Sequence, residues 1–408
     1  MIAAEDRLLT PRFILIIATG LAYFLAIGMM VPTVPVFVER SLGGDSVAVG
    51  IAVGSFAVGA IVLRPFAGRI GDRYGRRILI IGGALIVAAA WTLVLAASSM
   101  TVLVAARVLG GIGEAAFFVG AGTMVTDLAP ERRRGEALSY WSIAVYGGVA
   151  FGPFIGVFVL ADDQFNRVWI LAAGFALAAA VLGCFTTETR RAGPAPVAAG
   201  GGRPKLFYRA ALAPGLVLFL GLIGLAGFTE FVPLYVVDIG VADAGPVLLV
   251  YGLVVLAVRI LGARLPDRLG PMVAGSGALA IGASGLAIVA IVATPVGLYV
   301  GTVIFALGMS QLYPAVMILA LTDVPDHERS SAVGTVSSFF DASQGVGAVV
   351  LGGVAHVAGY RSAFIGGVIA AVVGLVLLRG GIDPRARKPT DHAAARAALE
   401  TPEPEAPV

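Results

Sequence analysis

The sequence predicts an all-α membrane protein in which twelve transmembrane helices form two pseudosymmetric six-helix bundles. Three observations predict this fold: the composition is strongly apolar, twelve apolar segments follow one another, and the two halves share a sequence pattern. Of the 408 residues, 58% are hydrophobic and 13% are charged, and the mean hydropathy is +0.95. A soluble domain has about 25% charged residues, so this composition excludes a soluble enzyme.

Twelve segments have the length of about 20 mostly apolar residues that a membrane-spanning helix requires. They run over Phe13–Val38, Val47–Gly68, Ile78–Ala97, Thr101–Leu128, Ala137–Ala161, Val168–Thr186, Ala211–Val237, Pro246–Ala263, Met272–Ala293, Val296–Thr322, Ala332–Ala358 and Ser362–Leu378. No cleavable signal peptide is expected, because Glu5 and Asp6 precede a first apolar segment that is far longer than a signal-peptide core. The first segment is therefore predicted to span the membrane.

The distribution of basic residues predicts the orientation of the chain. With both termini in the cytosol, 22 of the 28 Lys and Arg residues fall in cytosolic segments and three in outer loops, while Arg64, Arg107 and Arg259 lie inside spans. Basic residues concentrate on the cytosolic side of membrane proteins. We therefore expect a multi-pass protein of the bacterial inner (plasma) membrane with cytosolic termini.

Composition divides the chain into four parts. Residues 187–209 include Pro194, Pro196 and three consecutive glycines, a composition that cannot pack a core, and are predicted to form a cytosolic linker. Residues 379–408 are rich in Pro, Ala and charge and are predicted to be a disordered cytosolic tail. The two six-helix bundles are then expected over residues 1–186 and 210–378.

The halves match each other at three places with nearly one offset. The matched positions are Pro35–Val38 with Pro233–Val236 at an offset of 198, Arg64, Arg69, Asp72 and Arg73 with Arg259, Arg264, Asp267 and Arg268 at 195, and Thr126-Asp127 with Thr322-Asp323 at 196. An even number of spans separates the matched positions, so the repeats insert in the same orientation. Two parallel bundles around a cleft are typical of transporters whose halves tilt against each other.

The loop between the second and third spans carries a motif. Its residues Gly68-Arg69-Ile70-Gly71-Asp72-Arg73-Tyr74-Gly75-Arg76-Arg77 resemble the loop signature of the major facilitator superfamily, motif A, and a weaker copy contains Arg264, Asp267, Arg268 and Gly270. Gly75 permits a tight turn. The resemblance implies that Asp72 lies at the positive N-terminal end of the eleventh span and that Arg76 and Asp127 complete a charge cluster closing the cytosolic side. The alternative is that the basic residues Arg73, Arg76 and Arg77 only set topology.

Two further motifs extend the resemblance over all twelve spans. Arg107, followed by Gly111 and Gly113, is similar to the family's motif B. The fifth span is similar to motif C, which is associated with exporters that exchange solute for protons, at Gly148, Gly152, Pro153 and Gly156. These residues could form a kinked, closely packed helix that pivots at the bundle interface, or serve helix packing alone.

Glu114, Glu230 and Asp341 lie inside predicted spans, where an ionised group costs about 2.5–3.5 kcal/mol. A buried carboxyl group is more easily protonated and can carry a proton through a transport cycle. Glu114 is seven residues from Arg107, so both are expected on one face of the fourth span and could share a proton or a substrate. The resemblance implies that Arg107 faces the central cavity. The structural alternatives are an ion pair for Glu114 and helix-packing hydrogen bonds for Glu230 and Asp341.

Neutral residues complete the candidate site. Asp341 shares a helix face with Ser337 and Gln344, and Gln311 adds an amide in the tenth span. Aromatic residues such as Phe118, Tyr146 and Phe228 could line an apolar cavity or serve packing alone.

The remaining composition limits the function. Neither a phosphate-binding loop nor a Cys/His metal motif is found, so we expect no ATP-driven pump, no cofactor, no metal and no nucleic-acid partner. The sequence predicts a monomeric secondary transporter, not an enzyme, with a small-molecule substrate, protons and the lipid bilayer as partners. Proton-coupled export of amphipathic or hydrophobic molecules by alternating access is the favoured function. The alternatives are uptake or facilitated diffusion of a polar solute, such as a sugar or organic acid, and a non-transporting receptor with the same fold.

Overall fold

The computed structural model describes residues 8–130, 133–161, 163–189, 208–262, 265–322, 324 and 329–381. Helices make up most of these residues, and no strand occurs among them. The helices are α1 Pro11–Arg40, α2 Ser46–Tyr74, α3 Arg76–Val94, α4 Met100–Leu128, α5 Arg134–Leu160, α6 Phe165–Phe185, α7 Arg209–Asp238, α8 Gly245–Leu261, α9 Leu265–Leu269, α10 Pro271–Ile291, α11 Pro295–Leu321, α12 Arg329–Ala358 and α13 Tyr360–Gly381. Most of the predicted linker and of the predicted tail lies outside the described residues.

Twelve of these helices correspond to the twelve predicted spans, and the short helix α9 was not expected. Within the described residues, ten helices are long and apolar enough to cross a membrane. The two others that match predicted spans are α8, an apolar helix of 17 residues, and α12, a helix of 30 residues. Helix α12 includes the polar residues Ser337, Asp341 and Gln344. The prediction of an all-α membrane fold is confirmed.

Local side-chain chemistry sets several helix starts. The Thr10 hydroxyl accepts a hydrogen bond from the backbone N–H of Phe13 over 3.2 Å, and Asp45 accepts one from Ala48 over 2.9 Å. These caps satisfy N–H groups that have no partner within the helix. Between α2 and α3, Gly75 adopts φ +105°, a conformation that residues with a side chain rarely adopt, so it joins the two helices in a tight turn.

The two halves meet mainly along two helix pairs, which we call the α2–α12 seam and the α5–α8 seam, and α1 also contacts α7. A Cβ added to Gly352 of α12 would lie 2.5 Å from the carbonyl oxygen of Ser46 at the start of α2. A Cβ added to Gly252 of α8 would overlap the backbone of Ala150 in α5. Lipid provides no hydrophobic force between helices, so such close backbone approach supplies the packing contact instead.

Candidate functional site

An ion-pair cluster of three residues lies in the α2–α12 seam. Arg64 of α2 donates from Nη2 to Glu114 Oε2 of α4 over 3.1 Å and to Asp341 Oδ1 of α12 over 3.0 Å, and its Nε lies 2.8 Å from Asp341 Oδ2. The side chains of Arg64, Glu114 and Asp341 are 18%, 13% and 8% exposed. Glu114 belongs to the same half as Arg64 and Asp341 to the other, so one guanidinium joins the two halves.

Aromatic and hydroxyl groups surround this cluster. The Arg64 guanidinium lies 5.5 Å from the ring centroid of Phe118, within cation–π range. Tyr313 of α11 interacts electrostatically with Arg64 and has the Ser337 hydroxyl within hydrogen-bonding reach. Tyr23 of α1 is fully buried, and its hydroxyl has no hydrogen-bond partner among the described residues. The cluster thus lies in a mainly apolar site with few polar partners beyond its own three charges.

Arg107 of α4 lies outside the cluster of Arg64, Glu114 and Asp341. Its Nε donates to the carbonyl oxygen of Ala52 over 3.1 Å, and its guanidinium lies 4.6 Å from the ring centroid of Phe56 and 5.8 Å from that of Trp91. It also interacts electrostatically with Glu230 of α7, a residue that is 3% exposed. One carboxylate oxygen of Glu230 is buried and lacks a hydrogen-bond partner within the described chain.

Arg107 and Glu114 contact different groups, and the expectation that they share a proton or a substrate stays a prediction. Their spacing is close to two helical turns, but Glu114 pairs with Arg64, while Arg107 binds backbone carbonyls of α2. Sequence spacing fixed only the common face of α4, and both partners come from another helix that is not adjacent in sequence. The ion-pair alternative for Glu114 is present, with Arg64 as the partner.

A third intramembrane arginine lies in the α5–α8 seam. The Arg259 guanidinium of α8 lies 4.2 Å from the ring centroid of Tyr146 in α5. Its Nε is buried, and within the described residues Arg259 forms no ion pair and its Nε no hydrogen bond. Gln311 lies close to the end of the same helix, since its Nε2 would be 3.4 Å from a Cβ added to Gly262. Gln344, the other candidate amide, donates to Ser343 Oγ over 3.4 Å instead.

The glycines of motif C face their own bundle. A Cβ added to Gly152 would lie 2.7 Å from Gly28 Cα of α1, and one added to Gly156 would lie 2.7 Å from the Met29 carbonyl oxygen. Gly148 likewise meets α1, at Phe24. This contact agrees with the packing alternative, and the pivoting role of α5 stays a prediction. These glycines lie on the α1 side of α5, and the neighbouring face, with Tyr146 and Ala150, meets the other half.

Motif A forms a charge cluster at the ends of α2, α3 and α4. Arg76 Nη2 lies 3.0 Å from Asp72 Oδ1, and its Nε lies 3.4 Å from Asp127 Oδ2. The cluster of Arg76, Asp72 and Asp127 that the resemblance implied is therefore present. In the described part of the chain the ion-pair partner of Asp72 is Arg76 of its own half, so its placement at the start of α12 stays a prediction.

The chain after α6 is attached to this cluster. The Glu188 carboxylate accepts hydrogen bonds from the backbone N–H groups of Arg76 over 3.0 Å and Arg77 over 3.1 Å, at the first turn of α3. The Thr189 hydroxyl donates to Asp127 Oδ2 over 2.8 Å, and Arg77 donates to the Cys184 carbonyl oxygen. A carboxylate at a helix N terminus is stabilised by the helix dipole, so the start of the predicted linker binds the motif A loop.

The weaker copy of motif A is only partly described. Arg264 and the side chain of Asp267 lie outside the described residues. Arg268 is exposed at the end of α9, and Gly270 adopts φ +80° between α9 and α10. This glycine therefore occupies the same kind of turn as Gly75.

The sequence places Arg64 and Arg259 inside predicted spans without indicating a role for them, and it predicts Tyr146 only as an aromatic residue that lines a cavity or serves packing. A usable signal was present. Arg64 contacts Asp341 across one seam, and Arg259 contacts Tyr146 across the other. The two arginines are related by an offset of 195 residues, and so are their two partners. The same internal repeat therefore links both contacts.

A cavity of about 430 Å³ lies at the opposite end of the helices from the motif A loop. Phe154 and Phe158 of α5, Val36 of α1 and Pro233 of α7 are among the residues that line it. The ion pair of Arg40 with Asp163, 2.7 Å long, also borders it. None of the candidate carboxylates lines this cavity.

Comparison with known proteins places the sequence among transporters. The family model described as Major Facilitator Superfamily matches residues 16–348 and 298–403. An uncharacterized MFS-type transporter of Salmonella typhimurium is 27% identical over 368 residues, which cover 87% of this chain and 92% of that protein. A second uncharacterized MFS-type transporter, from Burkholderia pseudomallei, is 26% identical over 382 residues, 90% of this chain and 91% of the relative.

Solved structures share the fold at low sequence identity. The nucleoside transporter NupG superposes with a TM-score of 0.74 and 11% identity, covering 90% of this chain and 99% of that chain. The human organic anion transporter MFSD10 gives a TM-score of 0.69 and 18% identity, with 90% and 100% of the chains covered.

Proposed function

This chain belongs to the Major Facilitator Superfamily, and we propose that it exports small amphipathic molecules in exchange for protons by alternating access. The protein is a multi-pass membrane transporter and not an enzyme. Proton coupling, direction and substrate class form the proposal, together with a monomeric state, an inner-membrane location and cytosolic termini.

One observation carries the proposal: Arg64 contacts a carboxylate of each half at once. Glu114 and Asp341 together bring two negative charges to one guanidinium, so the cluster has a net charge of −1 when both acids are ionised. A net charge in a largely buried site is costly. Binding one proton makes the cluster neutral, so the cluster is suited to bind a single proton.

The position of the two acids gives the proton a mechanical effect. When Asp341 is protonated, the ion pair across the α2–α12 seam is lost, but Arg64 keeps Glu114 of its own half as a partner. The guanidinium is then never left without a counter-charge while the halves separate. Deprotonation of Asp341 restores the attraction between the halves. Proton binding and seam opening are thereby coupled, as alternating access requires.

The surroundings of the cluster favour an amphipathic substrate. Phe118 packs near Arg64, and Tyr313 and Phe340 form an edge-to-face pair with ring centroids 5.9 Å apart. Apolar and aromatic walls with a few polar groups are typical of small-molecule sites. The motif C residues of α5 pack closely on α1. It is their resemblance to the exporter motif that supports the export direction.

Uptake of an organic acid is the second candidate function. The observation that favours it is Arg259, a cation with neutral neighbours in the α5–α8 seam. A non-transporting receptor is disfavoured, because Arg64, Glu114 and Asp341 keep their costly charges inside the membrane, where such residues most often serve transport.

The test is gradient-driven transport in proteoliposomes. Purified protein is reconstituted with a pH-sensitive dye inside, and fluorescent amphipathic cations, anions and neutral molecules are added under pH gradients of either polarity. We expect substrate movement to be accompanied by proton movement in the opposite direction. Asp341→Asn should abolish the dependence on the pH gradient while leaving gradient-independent exchange measurable.

Asp238→Asn is the matched control, because it removes an exposed carboxylate at the end of α7. It should transport like the unmodified protein. Two results would overturn the proposal: Asp341→Asn that stays driven by the pH gradient to the same extent, or unmodified protein that moves no probe against a gradient. Substrate and protons moving in the same direction would instead establish uptake.

A further inference from the structure

The three intramembrane arginines differ in what balances their charge. Arg64 contacts two carboxylates, and Arg107 binds carbonyl oxygens and interacts electrostatically with Glu230. Arg259 contacts the ring of Tyr146, and within the described chain no carboxylate lies within ion-pair distance of it. A partly buried guanidinium without an anionic partner is energetically unfavourable, so this site favours an anion.

Internal duplication shows how the difference arose. Arg64 corresponds to Arg259 and Asp341 to Tyr146, both at an offset of 195. At the offset of 196 that aligns Thr126-Asp127 with Thr322-Asp323, Glu114 corresponds to Ser310, the residue before Gln311. The second copy therefore keeps the arginine and has neutral residues at both positions that carry acids in the first. Each copy has an arginine in its seam, but only the first copy also has carboxylates that pair with the arginine.

The neighbours of Arg259 are hydrogen-bonding groups without formal charge. The hydroxyls of Tyr251 and Tyr313 interact electrostatically with Arg259, and Tyr146 lies against its guanidinium face. The Gln311 amide lies at the same end of α8. The Arg259 Nε is buried and has no hydrogen-bond partner in the described part of the chain. Together these groups can donate several hydrogen bonds to one acceptor of negative charge.

We propose that Arg259, with Tyr146, Tyr313 and Gln311, binds the anionic group of the transported molecule, which is an amphipathic organic anion such as an aromatic carboxylate. The proposal rests on the transport function proposed above and names its substrate class. The planar guanidinium binds a carboxylate through two parallel hydrogen bonds. Tyr251 packs on Phe228 and Phe305, with ring centroids 5.3 and 5.9 Å apart, and this aromatic wall suits the apolar part of the molecule.

The site also places the substrate charge beside the proton site. Tyr313 interacts electrostatically with both Arg64 and Arg259. A substrate anion bound at Arg259 is then close enough to affect the charge balance of Arg64, Glu114 and Asp341. This gives the anion and the proton a shared electrostatic environment near the centre of the molecule.

Equilibrium binding tests the proposal without any gradient. Thermal stability of the purified full-length protein is measured in detergent against a series of aromatic carboxylates from benzoate to 2-naphthoate and pyrene-1-carboxylate. Each carboxylate is paired with its neutral amide and its aminomethyl analogue. We expect at least one carboxylate to stabilise the protein, with its amide binding at least tenfold more weakly and its amine not at all.

Two variants separate the site from general stability. Arg259→Gln should weaken carboxylate binding at least tenfold. Gln311→Glu places a carboxylate near the end of α8 that carries Arg259, so it should compete for Arg259 and weaken binding to a similar extent while the protein stays folded. Gln164→Glu is the matched control, since Gln164 is exposed just before α6, and it should bind carboxylates like the unmodified protein.

The proposal is overturned if no carboxylate stabilises the protein more than its amide, or if Gln311→Glu binds carboxylates with unchanged affinity. Should Arg259→Gln fail to fold, Gln311→Glu still decides the question. Carboxylate binding that depends on Arg259, without any proton-linked flux in vesicles, would support this site and overturn proton coupling. Proton-linked flux of a cation that Arg259→Gln does not change would overturn this site and support proton coupling.

Discussion

The two seams between the halves have the same framework and different chemistry. Each contains an arginine at a matched position, Arg64 or Arg259, that contacts the opposite half at a matched position, Asp341 or Tyr146. In the α2–α12 seam the contact is an ion pair with a second acid, Glu114, alongside it. In the α5–α8 seam it is a cation–π contact.

The two matched contacts are expected to respond differently to protons. An ion pair with a carboxylate is broken by one proton, whereas a guanidinium on an aromatic ring does not change when the carboxyl groups titrate. The α2–α12 seam is therefore suited to respond to protons. In the α5–α8 seam, Arg259 is proposed to bind a different anion, that of the substrate.

The largest effect is expected from Arg64→Gln. It leaves Glu114 and Asp341 buried close together without a counter-charge, and removing one partner of a buried ion pair costs about 3–5 kcal/mol. We expect a large fall in thermal stability and loss of proton-coupled transport. Arg259→Gln, which leaves behind neutral residues, should lower stability much less.

A double variant sharpens this prediction. Arg64→Gln combined with Asp341→Asn removes charges of both signs and should recover part of the lost stability, which a double-mutant cycle measures. If Arg64→Gln and Arg259→Gln were equally stable, the contrast between the seams would be wrong.

The next effect concerns packing, which both seams share. Gly352→Ala would force α12 away from the Ser46 carbonyl oxygen, and Gly252→Ala would force α8 away from Ala150. Overpacking costs about 1–3 kcal/mol, so both variants should unfold at lower temperature and transport more slowly. The neighbouring Gly353→Ala is the control, because a Cβ there meets no atom within 4 Å. A change in only one seam would show that the halves move about the other.

A smaller effect is expected at Tyr146. Tyr146→Leu removes the aromatic face beneath Arg259, and a cation–π contact is worth about 0.5–2 kcal/mol. Tyr146→Phe keeps the ring and should be close to the unmodified protein in the same unfolding measurement. Equal losses in the two variants would show that the Tyr146 hydroxyl, and not the ring face, stabilises the α5–α8 seam.

The smallest effect is expected at Glu188. This exposed carboxylate caps α3, and a charge at a helix N terminus is worth about 0.3–1 kcal/mol at low ionic strength. Glu188→Gln should lower the stability of the N-terminal half slightly, and the difference should shrink in high salt. Thr187→Val, one residue earlier, is the control. A loss of stability that salt does not change would contradict the dipole explanation.

Residue patterns were sufficient for the helices and for the motif A cluster. Apolar segments of membrane-spanning length require no partner to be identified, because a helix in lipid satisfies its own backbone hydrogen bonds. The cluster of Arg76 with Asp72 and Asp127 followed from the resemblance. The short helix α9 was missed, since five residues give too little periodicity to detect.

The partners of buried residues were harder to predict from the sequence than the helices were. Spacing placed Arg107 and Glu114 on one face of α4 but did not reveal that α2 supplies the Arg64 guanidinium to Glu114. The motif C glycines were recognised, yet their contact with α1 and not with the other half was not. In both cases the missing information was which neighbouring helix meets a given face.

Sequence patterns alone were enough to predict that the chain crosses the membrane many times, that its halves repeat and that a few charges lie inside the spans. The partners of those charges became clear only in the folded chain, where Arg64 meets Asp341 across one seam and Arg259 meets Tyr146 across the other. Helices in lipid are apolar on every side, so their patterns do not indicate orientation. Close contacts between small residues fix the orientation instead.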